Sequence, residues 1–485
     1  MIGNERRLSF VANTPLRQDL ADIIAAMTSA IDPCSLMCNR LSLGQPAGQL
    51  RCDDKPVLVA GGNTLDFDRL NRIVVVGGGK AAGGFAAGLE ALLGPQRLAQ
   101  HRVTGLVSAP AGCGLSLATI EVRETRPGGV NLPTTAVVTA TGEMLAMLSQ
   151  LNSDDLAIVL ITGGGSALLE APVEGISLPL LTRTTQQLAA AGADITAINT
   201  VRRAASRVKG GGLAAACTAR RLLAVVLSDV IGDDLGTIAS GPCLPAAIDI
   251  DGLATLLADY GVLPVDREPL LEAARLATDS RPPASADSAG CWTTPAGCRV
   301  GHLLLGSNAT AVKAAAAAAE ACGYQVISTG TVTAPETAND AGSRLASLSH
   351  KLVAASEQDG QPRAVIEGGE ATVVVPADHG RGGRNQQTVL AAAEDVLAAG
   401  RNWPAGLLFA SFGTDGEDGP TSAAGGFIDT TVAATFKHQP AALSHAIDRC
   451  DAHPLLAAAG GLIETGPTGT NVADVRIMLM RPGRA

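Results

Sequence analysis

Apolar positions along this chain fall into two kinds of run, and the two kinds alternate. Short unbroken runs of Val, Ile and Leu read as strands buried on both faces. They cover residues 72–76, 102–107, 156–161 and 222–227, then 302–306, 325–329, 364–370, 407–412 and 475–480. A further short strand is expected at 372–375. Between them, apolar residues three and four apart predict helices at 16–31, 81–93, 134–151, 245–278 and 336–355. An alanine-rich helix ends at Cys322 and another at Ala398. Asp32-Pro33 stops the first helix, because the residue before a proline is pushed out of helical geometry. Residues 34–72 read as loop-rich with short apolar pieces, and 123–133 as a loop.

Strand–helix alternation implies a parallel sheet with helices on both faces. The expected fold is therefore α/β in two domains, the larger a mostly parallel, three-layered, Rossmann-like sheet. Around residues 279–300 the chain turns to Ser, Pro and Ala, which places a boundary near residue 290. That gives domains of 1–290 and 291–485, leaving open whether the last strand returns to the first domain.

Chemistry enters where predicted strands end. Residues 72–76 run into Gly77-Gly78-Gly79-Lys80, and 156–161 into Thr162-Gly163-Gly164-Gly165-Ser166. Gly380-Arg381-Gly382-Gly383-Arg384-Asn385 opens a third such helix. Helix N-termini present free N–H groups to anions. Lys80 at a helix start opposes the dipole, a cost that a bound anion offsets. Ser166 suits a donor to phosphate or to a substrate carboxylate, and equally a plain N-cap. Two nucleotide motifs fail on inspection. A Walker A loop would need glycine at Val74 and Ser or Thr at Ala81. The dinucleotide pattern Gly77-x-Gly79-x-x-Ala82 lacks the acid that should end the next strand, which closes on Ser108-Ala109.

A helix-like segment carries Arg202, Arg203, Arg207 and Lys209, and the strand at 222–227 ends in Ser228-Asp229-Val230-Ile231-Gly232-Asp233-Asp234. Carboxylates beyond a strand's carboxyl end suit a divalent cation. The Asp/Gly alternation from Gly413 to Thr421 is similar to a calcium loop but lacks its closing glutamate.

Charged residues are 17%, aromatics 2%, and the net charge is −10. With no basic tract and few rings for base stacking, a nucleic-acid partner is excluded. No apolar run reaches the roughly 18 residues of a membrane span. The N-terminus lacks a secretory apolar core, so a cytoplasmic protein is expected. The ten cysteines are scattered, consistent with reduced thiols and no structural metal.

Residues 198–214 (INTVRRAASRVKGGGLA) and 227–242 (LSDVIGDDLGTIASGP) resemble the class II glycerate 2-kinases, whose C-terminal part is a MOFRL domain. So do Gly-Lys-Ala at 79–81, GGGSALL at 163–169, GRGGRNQQ at 380–387, GTDGEDGPT at 413–421 and TGPTGTNV at 465–472. The motifs are collinear over about residues 16–480. The resemblance implies phosphorylation of the 2-hydroxyl of D-glycerate by ATP with Mg²⁺, giving 2-phosphoglycerate in a cleft between the domains. It puts Lys80 and Arg384 on the transferring phosphoryl group and Asp229 on Mg²⁺, with Asp233 as a second metal ligand. Gly78, Gly79, Gly164, Gly165, Ser166, Arg202, Lys209, Asn385 and Asp415 would bind substrate or nucleotide. The expected partner is a short hydroxy acid; the oligomeric state stays open. The sequence departs from the family at Arg126-Pro127, where His-Pro is usual, at Gln387 for Glu and at Ser422 for Asp. Two other readings stand beside the kinase: an NAD(P)H-dependent hydroxypyruvate reductase and a non-catalytic nucleotide-binding relative.

Overall fold

The computed structural model describes residues 12–44, 48–60, 62–128, 130–280, 285–288, 290–398 and 401–483. Its larger sheet contains β1 (Ile73–Gly78), β2 (Thr104–Pro110), β3 (Ile120–Arg126), β4 (Leu156–Ile161), β5 (Arg221–Leu227), β6 (Trp292–Thr293) and β7 (Arg299–Gly306). Across the sheet they run 3-2-1-4-5-7-6. The pairs β3/β2, β2/β1, β1/β4 and β4/β5 are parallel, and β6 is antiparallel to β7. The chain builds outward from β1 to one edge and then restarts beside β1 with β4, the doubly wound arrangement.

The strand composition explains this placement. Every residue of β1 and β4 is buried. Val74, Val76, Ala157, Val159, Ile161, Leu222, Ala224 and Val226 share one core with Ala140, Met144, Leu145 and Leu148 of the helix Thr135–Ser149. The alternate residues Ile73, Val75, Ile158, Leu160, Leu223 and Val225 are buried as well. The helix Ala82–Gln100 packs on β1, β2 and β4. Four further helices, Leu178–Ala190, Ile195–Ala205, Ile250–Asp259 and Pro264–Ser280, enclose a separate apolar cluster around Leu188, Val201, Leu257 and Leu270.

A second sheet contains β8 (Gln325–Thr331), β9 (Arg363–Gly369), β10 (Leu407–Gly413), β11 (Gly425–Ile428), β12 (Leu462–Ile463) and β13 (Asp474–Met480), in the order 8-9-13-10-11-12. Only β8 and β9 pair in parallel; every other neighbour is antiparallel.

The chain divides into two compact units, Pro33–Leu305 and Met1–Asp32 with Gly306–Ala485. This differs from the break expected near residue 290. Residues 281–284 and 289 lie outside the described residues, but β6 and β7 beyond them complete the first sheet. At the other end, the helix Pro15–Ala30 joins the second unit, and polar groups show why. Arg17 is buried against Asp429 in a two-pronged ion pair (2.7 and 3.2 Å) and sits 4.9 Å over the Phe427 ring. Asp19 receives Tyr324 Oη at 2.6 Å and Arg481 Nη2 at 2.9 Å. Leu20, Ile23, Ile24 and Met27 fill the apolar face of the same helix. The last strand, β13, stands between β9 and β10 and does not return to the first sheet.

Three local expectations also change. Residues 372–375 make no strand: Thr372 forms a lone bridge, and Val374 is 84% exposed. β-branched residues there have no second strand to pack against. Residues 123–126 finish β3 instead of opening a loop. The basic helix ends at Ala205, so Arg207 and Lys209 follow it. Among the described residues no single helix is long and apolar enough to cross a membrane. The N-terminal stretch read for targeting signals, residues 1–11, lies outside the described residues.

Removing one partner of a buried ion pair strands the other charge. Asp429 also accepts the Thr431 and Val432 N–H groups at the start of the helix Thr430–Lys437. Asp429→Ala should therefore destabilise the protein by about 3–5 kcal/mol in urea unfolding. The double variant Arg17→Met/Asp429→Ala should lose clearly less than the sum of the single changes. Strict additivity would show that the pair does not act as a unit.

Candidate active site

β1 and β4 end level, with Gly78 opposite Ile161, and their glycine turns are tied together immediately beyond. The Lys80 N–H donates to Gly163 O at 2.8 Å, and the Ala81 N–H to Thr162 Oγ1 at 3.1 Å. From the other side the Gly79 N–H donates to Ser108 O of β2 at 3.1 Å. A Cβ on Gly79 would stand 2.0 Å from Thr162 Oγ1, so only glycine fits. Gly78, Gly79, Lys80, Gly164, Gly165 and Ser166 thus come together where the strand order reverses. In doubly wound sheets this is the ligand crevice. Lys80 is half-buried and precedes the Ala81 N-cap, so it stands just outside the helix Ala82–Gln100 that it was expected to open.

The turn after β4 is held from beneath. Lys209, fully buried, donates to Ser166 O (2.9 Å) and Leu169 O (2.8 Å) and pairs with Glu170 Oε2 (3.0 Å). All three ammonium donors are used. Lys209 therefore braces the Ser166 turn, and its expected role as a ligand for substrate or nucleotide is not what this geometry offers. Burial pulls its ammonium below the ordinary lysine range, with Glu170 opposing. Arg202, on the helix Ile195–Ala205, is half-buried, and desolvation lowers its pKa against the pull of the same Glu170.

Ser166 has a defined polarity. Ser240 Oγ gives its proton to Asn199 Oδ1 at 2.8 Å, so in the 2.9 Å contact between Ser166 Oγ and Ser240 Oγ the proton comes from Ser166. Ser166 then faces outward with lone pairs. It suits a substrate hydroxyl, not the phosphate or carboxylate that the sequence reading assigned to it. Ala239, Ser240 and Gly241 all have positive φ, which bends the chain back to bring Ser240 under Ser166.

Beyond β5, Asp229 and Asp233 are half-buried, whereas Asp234 binds its own loop through Gly236 N (3.2 Å) and Thr237 Oγ1 (2.5 Å). Among the described residues no three His, Cys, Asp or Glu side chains form a metal cage, and all ten cysteines are free thiols.

Arg126 was passed over as a loop residue. It ends β3, is 5% exposed, and directs Nη2 to 3.5 Å from where a Cβ on Gly164 would stand; Lys80 Cγ is 3.6 Å from that same point. The signal in the sequence was an arginine at the carboxyl end of a parallel strand, masked because only Ile120 and Val122 mark that strand as apolar.

In the Gly306–Ala485 unit the loop 380–383 leads into the helix Arg384–Ala398. Its N-terminus is capped from outside by Asp418, whose carboxylate accepts the Asn385 and Gln386 N–H groups at 3.0 and 2.9 Å. Gly383 permits this, since a Cβ there would lie 2.3 Å from Asp418 Cγ. Asn385 is buried against Asp418 and Ser411, which removes it as a ligand residue. Arg384 is gripped by Asp474 (2.6 and 2.9 Å) and Glu370 (2.8 Å). Burial opposes its charge, and the two carboxylates outweigh burial. Asp415 Oδ1 accepts the Glu417 N–H at 3.1 Å. Two family departures find structural roles. Gln387 donates to Asn339 Oδ1 and Ile447 O (3.0 and 2.9 Å), bonds that a carboxylate cannot donate, and Ser422 donates to Glu464 at 3.1 Å.

Burial, with Asp474 nearby, raises the Asp418 pKa to about 6 despite the capping N–H groups. Unfolded, the group titrates near 4. Between these values the folded state binds more protons, so this group's contribution to stability falls as pH rises through about 6 and is constant below about 4. Asp418→Asn should lose cap strength overall, yet its deficit against wild type should be largest at pH 4.5 and shrink by pH 7.5. Thermal midpoints at the two pH values check this; a deficit independent of pH would refute the buried-acid assignment.

Two family models match the chain: a domain of unknown function, DUF4147, over residues 19–270, and the MOFRL family over residues 363–474. Human glycerate kinase is 31% identical, over 99% of this chain and 96% of its own. The glycerate 2-kinase of Pyrococcus horikoshii is 31% identical (95% and 97%), and the D-glycerate 2-kinase of Thermotoga maritima 34% (86% and 93%). The crystal structure of the Thermotoga maritima glycerate kinase superposes with a TM-score of 0.74 at 30% identity, covering 96% of this chain and 99% of that one. A Pyrococcus horikoshii crystal structure gives the same score at 28% identity and the same coverage. With two family models in order, relatives matched from end to end and the same α/β fold, the chain belongs to the glycerate kinase family with a C-terminal MOFRL domain.

Proposed function

We propose that the protein transfers the terminal phosphoryl group of ATP to the 2-hydroxyl of D-glycerate, releasing 2-phosphoglycerate and ADP. The observation that carries this reading is the junction of Lys80 with the Gly163–Ser166 turn at the switch point, on a chain whose relatives are glycerate kinases. Phosphoryl transfer asks a protein for charge neutralisation and alignment more than for covalent chemistry. In this reading Lys80 neutralises the phosphoryl oxygens, and the N–H groups at the start of the helix Ala82–Gln100 add a positive dipole end. Ser166, kept as an acceptor by Ser240, orients a substrate hydroxyl. Arg202 holds the carboxylate. Arg384 would hold phosphoryl oxygens only by exchanging those of Asp474 and Glu370 for them.

Asp229 and Asp233 suit Mg²⁺, which keeps several waters and takes phosphate oxygens, so two carboxylates suffice without a cage. When bound, the ion would supply charge neutralisation for the phosphates. The reductase reading is weaker on the same ground: β2 ends in Ser108-Ala109-Pro110, with no acid for a ribose hydroxyl.

Coupled ADP-release assays with D-glycerate, run beside NADH oxidation with hydroxypyruvate, decide between the two activities; hydroxypyruvate turnover without ADP release would overturn the kinase. Lys80→Ala should lower kcat by two to four decades, about 3–5 kcal/mol, and raise the KM for ATP far less. Near-normal kcat with a raised KM would demote Lys80 to substrate binding. Asp229→Asn should weaken the Mg²⁺ dependence of turnover while its circular dichroism matches wild type, and an unchanged Mg²⁺ titration would remove Asp229 from the metal.

A further inference from the structure

We propose that Ser166, Ser240 and Asn199 form a relay that reads the 3-hydroxyl of the substrate, so that the site takes a 2,3-dihydroxy acid and rejects a 2-hydroxy acid without that group. The naming of this hydroxyl rests on the kinase reading. Within residues 161–170 only Gly164 and Ser166 are other than buried, so Ser166 is the side chain of that span open to a ligand. Beneath it the polar groups are dry: Ser240 is 0% exposed and Asn199 1%. Ser240 Oγ donates to Asn199 Oδ1 at 2.8 Å, which commits its one proton. Ser166 therefore supplies the proton of its 2.9 Å contact with Ser240 Oγ and meets a ligand as an acceptor.

The relay is held from several sides. Lys209 binds the Ser166 carbonyl at 2.9 Å, and the Gly210 N–H donates to Ser240 O at 3.1 Å. Ala239 and Ser240 have φ of 51° and 63°, a backbone region costly to both residue types. A Cβ on Gly165 would stand 2.9 Å from Ala239 Cβ, so glycine at 165 lets this strained turn come up against the residue before Ser166. Asn199 lies on the helix Ile195–Ala205, which carries Arg202 three residues on. One helix thus sets both the relay and the cation assigned to the substrate carboxylate.

The end of the relay decides which hydroxyl it suits. An amide oxygen accepts a hydrogen bond but does not take up a proton at neutral pH, so the chain orients a hydroxyl without deprotonating it. The attacking 2-hydroxyl gives up its proton when it is phosphorylated, whereas the 3-hydroxyl keeps its own. A relay with no outlet for a proton fits the group that does not react. A site built to bond a hydroxyl rejects the analogue lacking it, because its own polar group is left unpaired. In this reading Ser166 touches the substrate, and Ser240 and Asn199 are positioning residues.

The test compares D-glycerate with D-lactate, which lacks the 3-hydroxyl, and with 3-fluorolactate of the same configuration, whose fluorine is close to a hydroxyl in size and carries no proton. The full-length protein is assayed by coupled ADP release, and each acid is titrated directly by calorimetry. Wild type should prefer D-glycerate to both analogues by at least about tenfold in kcat/KM, with fluorolactate behaving as lactate does. Ser166→Ala should cut the glycerate-over-lactate ratio by about tenfold, and Ser240→Ala and Asn199→Leu by about three- to tenfold. Asn199→Asp keeps an acceptor for Ser240 and should recover part of the Asn199→Leu loss. A merely structural role would slow all three acids alike and leave the ratio where it was. A wild-type ratio near one, fluorolactate used as well as glycerate, or an unchanged ratio in Ser166→Ala would overturn the relay in an enzyme that still releases ADP. If Asn199→Leu does not fold, the two serine variants decide. Should wild type release no ADP with any acid, the kinase reading fails and calorimetry judges the relay alone. A preference for D-glycerate over D-lactate that Ser166→Ala abolishes would then uphold it, and equal affinities or no binding would overturn it.

Discussion

Two hydrogen bonds across the switch point, Lys80 N–H to Gly163 O and Ala81 N–H to Thr162 Oγ1, fix where everything else at this site can be. They form only because β1 and β4 end in register and because Gly79 has no side chain to collide with Thr162. The helix that follows must come equally close. Cβ atoms on Gly84 and Gly88 would stand 3.0 Å from Pro33 and 2.6 Å from Met37, so these glycines let the segment Pro33–Arg40 lie against the helix. Glycines at these positions thus serve close packing of the helix that follows the β1 turn.

Buried charges organise both units, and each has its partners. Lys209 with Glu170 underpins the Ser166 turn, and Arg17 with Asp429 seats the N-terminal helix. In the middle of the second sheet Arg476, 1% exposed on β13, meets Glu336 at 2.6 Å and Glu367 at 3.0 Å, and Arg344 binds the same two acids from the other side. Desolvation consumes much of what such pairs gain, so their effect is felt in which elements meet more than in net stability. Here they select partners distant in sequence. Position 17 binds position 429, and position 336 binds position 476.

The same logic separates the arginines. Arg384 is held between Asp474 and Glu370 in a neighbourhood of carboxylates that includes Asp418, so its charge is already answered. Arg126 Nη2 and Lys80 Cγ both come within van der Waals reach of where a Cβ on Gly164 would stand, a placement that no local pattern records. A glycine-rich motif does not record that Arg384 will be answered in this way, because Asp474 arrives on another strand.

The sequence by itself determined the secondary structure of the strand–helix units, the α/β class and the three glycine turns. These follow from local periodicity and from the geometry that glycine alone permits. β4 was read to the residue, and Lys80, Ser166 and Asp229 are candidates because each stands just beyond the end of an apolar run. Tertiary structure alone decided the membership of the N-terminal helix and of β6, β7 and β13, since nothing local records that Arg17 will meet Asp429 or that β13 will enter between β9 and β10. It also decided which polar residues are scaffold. Lys209 and Asn385 look like ligands in a motif, but Glu170 and two carbonyls take the Lys209 ammonium, and the Asn385 amide is buried between Asp418 and Ser411. Arg126 looked like a loop residue until β3 carried it beside Gly164. A side chain's chemical type is written in the sequence, whereas its availability depends on which groups from distant segments fold against it.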